Sequence, residues 1–155
     1  MNKPALLIIA ILFTLSGSAQ NFKNITENSN GFIGIGTKNP DALLTVKGSI
    51  HTQEVLVDLD GAVAPDYVFE KYYLGFSTLK NDYRFLSLSE IENYIKENHH
   101  LPNIPSAEEI AENGLSLKEM NLILLEKIEE LTLHTIEQQK QINHLFKLFE
   151  TQENE

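Results

Sequence analysis

The 155-residue chain has no cysteine and no tryptophan, and only 12 lysines and arginines against 22 aspartates and glutamates. Without cysteine there can be no disulfide, no thiolate zinc site, no thiol nucleophile and no lipid-modified cysteine. A formal net charge of -10 with no basic stripe excludes the electrostatic footprint of a nucleic-acid binder. Long apolar runs are also scarce. The one clear run, Ala5 to Leu15, is well short of the ~20 residues that span a bilayer as a helix. Lys3 stands before this run and the small residues Ser16-Gly17-Ser18-Ala19 follow it, so residues 1–19 read as a signal peptide with Gln20 as the mature end. The alternative, a retained membrane anchor, fits that length poorly. We expect an exported chain, at the cell surface or extracellular or else in the periplasm, with no retained membrane span.

The chain is best supplied with pattern at its end. From Leu117, positions taken alternately four and three apart read Leu117, Asn121, Leu124, Ile128, Leu131, Thr135, Gln138, Ile142, Leu145 and Phe149, of which seven are apolar. A 3.5-residue repeat held this long is a coiled-coil seam, too narrow for a globular core. It predicts a homo-oligomer, with a partner helix in the same chain as the alternative. Thr135 and Gln138 are polar seam positions of the kind that set register at a cost in stability. Ile128 and Ile142 share one seam class, while Leu124, Leu131 and Leu145 fall in the other, which leans toward two strands. Met120, Leu122, Ile123 and Leu125 widen the first third and are expected to pack under the two preceding helices.

Upstream, residues 20–30 are polar and read as a flexible leader, and residues 31–64 as a β-rich segment. Strands are expected around Gly31 to Thr37, along Leu44, Val46 and Ile50 with their two-residue alternation, and over Val55 to Leu59. Strands this short make too little sheet to stand alone, and a second copy of the chain would supply a neighbour. Gly31, Gly34 and Gly36 run in the order G-x-x-G-x-G, and Asn39-Pro40 follows where a dinucleotide fold needs a helix, so no cofactor is expected there. Residues 65–115 read as a small knob with two short helices. Ser87 with Glu90 and Ser106 with Glu109 form capping boxes that start them, Asn98 and Asn113-Gly114 end them, and Ser116 with Glu119 launches the long helix. The long helix is placed at 116–150 with a polar tail at 151–155. The fold class is α+β.

Few residues suggest chemistry. The aromatics between Pro65 and Phe85 read first as core, and secondly as a stacking platform in which Tyr67, Tyr72, Tyr73 and Phe76 face a sugar. Ser77-Thr78-Leu79-Lys80 matches S-x-x-K, but the S-D-N and K-T-G partners of that chemistry are missing. His99-His100 reads as a turn before Leu101-Pro102, because adjacent side chains diverge and no third metal ligand is near. His134, His144 and Glu129-Glu130 read as solvated. No catalytic, cofactor-binding or metal-binding residue is assigned.

Four stretches carry a family resemblance: Gly34-Ile35-Gly36-Thr37 with Asn39-Pro40 and Leu44-x-Val46-x-Gly48-x-Ile50; Pro65 to Lys71; Asn98-His99-His100-Leu101-Pro102-Asn103-Ile104-Pro105-Ser106-Ala107; and Glu126 to Leu131. Together they resemble tail-fibre-like secreted proteins of Gram-negative bacteria over nearly the whole mature chain. The HLP-x-IPSA stretch is the most specific part. More distantly, the chain is similar to the C-terminal chaperone domain of phage tail fibres and tail spikes, which trimerises the fibre and in many members frees itself through a serine-lysine dyad. The resemblance implies a homotrimer. It does not imply self-cleavage here, because Asn81 to Leu86 keeps the acid and arginine of that motif without its serine or lysine. The expectation is a non-enzymatic, tail-fibre-like structural or interaction protein. The alternatives are an adhesin for a surface glycan or another cell-envelope partner, and an autoprocessing serine peptidase.

Overall fold

Asn28 sets the first turn. Its side-chain carbonyl accepts the N–H groups of Asn30 at 2.9 Å and Phe32 at 3.0 Å, and its backbone carbonyl accepts that of Gly31. The reversal brings β1 (Ile25–Glu27) antiparallel onto β2 (Ile33–Ile35), with Ile25 opposite Ile35. β3 (Leu44–Val46) then pairs parallel with β2, Ile33 opposite Leu44, so the sheet order is β1-β2-β3. The computed structural model describes residues 24–152, and the chain divides into two compact units, the first ending at Val55 and the second beginning at Leu56.

The first unit is held by polar bonds. The Thr45 hydroxyl donates to Asp41 at 2.8 Å and accepts the N–H groups of Asp41 and Ala42, while Thr26 donates to the Thr37 carbonyl at 2.7 Å. Gly34 has to be glycine, since a Cβ there would lie 2.5 Å from the Thr37 carbonyl oxygen. The buried positions among the described residues of this unit are Gly34, Pro40 and Thr45; no isoleucine, leucine, valine or phenylalanine of it is buried.

Two expectations are corrected here. Residues 24–30 are not a flexible leader but form β1 and its turn, because Asn28 supplies the bonds that close the reversal. Val55 to Leu59 belong to no strand, since a strand needs a neighbour for its N–H and C=O groups and none pairs with them among the described residues. The signal peptide expected at residues 1–19 lies outside the described residues.

The second unit holds four helices: α1 (Tyr67–Leu74), α2 (Leu88–Asn98), α3 (Ala107–Asn113) and α4 (Leu117–Gln152). The boxes at Ser87/Glu90 and Ser106/Glu109 are both complete, and the Ser116 hydroxyl accepts the Glu119 N–H at 3.3 Å. Gly114 ends α3 at φ 78°, ψ -174°, an extended conformation open to glycine in place of the left-handed helical cap the sequence suggests. The knob has one helix more than expected. α1 lacks a side-chain cap at Asp66 and is rich in aromatic residues, so its local signals are weak, and Gly75 closes it by donating to the Lys71 carbonyl.

α1 is the helix that α4 packs against, whereas the sequence placed α4 under α2 and α3. The core between them is Tyr67, Val68, Tyr83 and Leu133, flanked by Tyr72 and Phe85. Over the described residues the fold is therefore α+β, a small three-stranded sheet and four helices ending in one of 36 residues.

Candidate functional site

α4 is amphipathic the wrong way round for a single chain. All ten seam positions, from Leu117 through Asn121, Leu124, Ile128, Leu131, Thr135, Gln138, Ile142 and Leu145 to Phe149, are exposed, Leu131 at 64% and Phe149 at 64%. On the opposite side the buried residues are Glu126, Glu129, Glu130 and Leu133. The apolar stripe thus faces out and three carboxylates face in. Glu129-Glu130, expected to be solvated, are instead buried, because tyrosine hydroxyls and a lysine on neighbouring elements converge on this face.

The convergence is detailed. Tyr67 donates to Glu126 Oε2 at 2.5 Å and Tyr83 donates to Glu130 Oε1 at 2.8 Å. Lys127 Nζ bridges Glu126 Oε1 and Glu130 Oε2, each at 2.9 Å. Lys80 reaches Glu126 Oε2 at 3.6 Å while lying 4.8 Å from the Tyr67 ring centre, and Asn103 donates to Glu126 Oε1 at 3.4 Å. The two tyrosine rings pack with centres 4.9 Å apart. Burial alone would raise the Glu126 carboxyl, but the hydrogen bonds from Tyr67 and Lys127 outweigh it and hold the group below its ordinary value. Burial would lower Lys127, but its hydrogen bonds to Glu126 and Glu130 outweigh that, so its ammonium holds its proton more firmly. Burial and then the carboxylate partners push both tyrosine hydroxyls upward. Glu129 is different. Its Oε2 is buried without a partner, and burial, then Asp66 and Glu126, raise its carboxyl. A buried carboxylate left unbridged is a local weakness in an otherwise satisfied network.

Of the four aromatics proposed to face a ligand, Tyr67 is corrected: it is buried and its hydroxyl is spent on Glu126. Tyr72 is half-buried against Phe85, with its hydroxyl on Glu137 at 3.2 Å. Tyr73 and Phe76 are exposed. Ser77 and Lys80 point to different partners. The buried Ser77 hydroxyl donates to Glu70 Oε2 at 2.7 Å and accepts the N–H groups of Leu79 and Lys80, so S-x-x-K is a turn, while the Lys80 ammonium goes to Glu126. The Ser77 bond holds Glu70 below its ordinary value.

His99 takes the left-handed cap of α2 at φ 62°, and His100 Nδ1 lies 3.0 Å from the Leu101 carbonyl with its ring edge-on to Tyr94. His134, expected to be solvated, is half-buried with its ring stacked on Phe85 at 4.7 Å, because Phe85 folds back onto α4. His144 is exposed. Among the described residues no three histidine or acidic side chains gather to hold a metal, and no helix is long and apolar enough to cross a membrane.

No family model matches this chain, and no curated protein or solved structure matches it significantly.

Proposed function

We propose that the chain is an exported, non-enzymatic structural and interaction protein that assembles as a homotrimer through α4, in the manner its likeness to tail-fibre-like proteins implies. One observation carries this: the apolar stripe of α4 points away from its own knob, and the face turned to the knob is already filled by Glu126, Glu129, Glu130 and Leu133. Burying the stripe then requires a helix from elsewhere, and the heptad spacing suits a copy of itself. At roughly 25 cal/mol per Å² of apolar surface, covering seven large seam side chains on each strand is a substantial driving force.

The strand number has support beyond the resemblance. The positions beside the seam include Leu125, Phe146 and Leu148, all exposed in one chain. A two-stranded coil leaves such positions at its margin, whereas a bundle of more strands encloses them. Outside the seam each helix would keep its knob, clasped by the tyrosine-carboxylate bonds. Chemical crosslinking at micromolar concentration should end at a trimer; a chain that yields monomer alone would overturn the proposal.

A second role as an adhesin draws on Tyr73 and Phe76, two aromatic rings left exposed on the knob. Binding to an immobilised glycan array that survives Tyr73→Ala and Phe76→Ala together would remove it.

A further inference from the structure

Among its described residues the first unit has a sheet and no apolar core. Ile25, Ile35, Leu43 and Leu44 are exposed, Leu44 at 58%, while the buried positions are a glycine, a proline and a threonine. Sheets gain stability from apolar cover on at least one face, and a three-stranded sheet with three-residue strands has almost none to offer by itself. The outer edges of β1 and β3 also lack a strand partner among the described residues. Unpaired edges of this kind accept a strand from another chain.

The same sequence contains a strand-forming stretch with no sheet. Val55, Leu56, Val57 and Leu59 are exposed and lie in no element, with Leu56 at 89%. Their composition is that of a strand, two β-branched residues around a leucine. Charge favours joining copies here: between Asn24 and Leu59 the acids are Glu27, Asp41, Glu54 and Asp58 and the bases Lys38 and Lys47, a net of -2 against -10 for the chain. Copies brought together at this unit meet little of the repulsion the whole chain carries.

We propose that a second copy of this chain completes the sheet, its Val55–Leu59 segment supplying the missing strand and the apolar cover for Leu43 and Leu44. The proposal rests on self-association through α4 for the presence of that second copy. Sheet order then becomes a property of the assembly, gained when the helices bring the copies together.

Hydrogen exchange on the full mature chain tests this at the amides of Ile33, which donates to Leu43, and Lys47, which donates to Ile35. Leu44→Asp and Val57→Asp each change a side chain that a single chain leaves exposed, at 58% and 44%, so a self-contained unit would register them only weakly. The expected result is exchange at Ile33 and Lys47 faster by roughly tenfold or more in either variant. The His99 amide of the knob, bonded to Ile95, keeps its protection, and the oligomer keeps its mass through α4. Sheet amides that remain protected in either variant overturn the proposal and leave the seam standing. The double variant Ile128→Asp/Leu131→Asp separates the two ideas further. Loss of sheet protection in the resulting monomer supports the exchange, and protection retained there overturns it. A double variant that stays oligomeric counts against the seam alone, and Leu44→Asp with Val57→Asp still decides the sheet.

Discussion

The Tyr67 hydroxyl donates to Glu126 Oε2 at 2.5 Å across the contact between α1 and α4, and this bond ties the knob to the long helix from a buried position. Tyr67→Phe removes the donor and leaves the ring. Glu126 then loses one of the bonds that offset its burial, and an unsatisfied buried acceptor costs about 1–3 kcal/mol. Urea unfolding followed at α1 should show that loss, and Tyr73→Phe, on an exposed ring, should show almost none. Equal effects at the two positions would contradict the clasp.

Glu129 gives a pH signature of opposite sign to Glu126. Its carboxyl is raised from 4.5 in the folded chain, so the folded state holds the proton more tightly than the unfolded one. That contribution is fully present below the ordinary carboxylate value and is lost as pH rises through the raised value. Glu126, held below 4.5, contributes above the ordinary value and loses its contribution as pH falls through the folded one. Glu129→Gln should therefore stabilise the chain at neutral pH, with the gain disappearing in acid. Thermal unfolding from acid to neutral pH reads this; a variant less stable than wild type at neutral pH would contradict it.

The seam predicts a positional contrast. Ile128→Asp or Leu131→Asp would bury an unpaired charge on every strand, a cost of about 3–5 kcal/mol each, and should dissociate the assembly. Asn143→Asp, exposed and off the seam, should leave it intact. Sedimentation velocity distinguishes them, and dissociation by both kinds of change would refute the register.

Ser87→Ala tests the start of α2. The box there joins the Ser87 hydroxyl to the Glu90 N–H and the Glu90 carboxylate to the Ser87 N–H. The same carboxylate is also paired with Arg84. Loss of the cap should cost about 1 kcal/mol, visible as faster exchange of the first α2 amides.

These elements were not equally legible in the sequence. The boxes at Ser87 and Ser106 depend on contacts within four residues, so the starts of α2 and α3 followed from spacing alone. The stripe from Leu117 to Phe149 was legible for the same reason, as one helix face. What α4 buries against its own chain was not. Glu126 meets Tyr67, and Glu130 meets Tyr83, over long stretches of sequence, and charged residues are so rarely buried that Glu129-Glu130 reads as solvent-facing. The available hint was Leu133, a large apolar residue opposite the seam, which needed cover of its own. α1 escaped because its ends, Asp66 and Gly75, enclose an aromatic run that suits a core of any shape. In the first unit the side chain of Asn28 ordered residues that polarity alone assigned to a leader.

Native mass spectrometry of the chain from Gln20, the mature end expected from the sequence, tests the central claim most directly. Three intact chains in one complex are the predicted result, satisfying the outward seam and leaving Ser77 and Lys80 in an uncut chain. A monomer at micromolar concentration would contradict it, because the stripe from Leu117 to Phe149 would then have nothing to cover it.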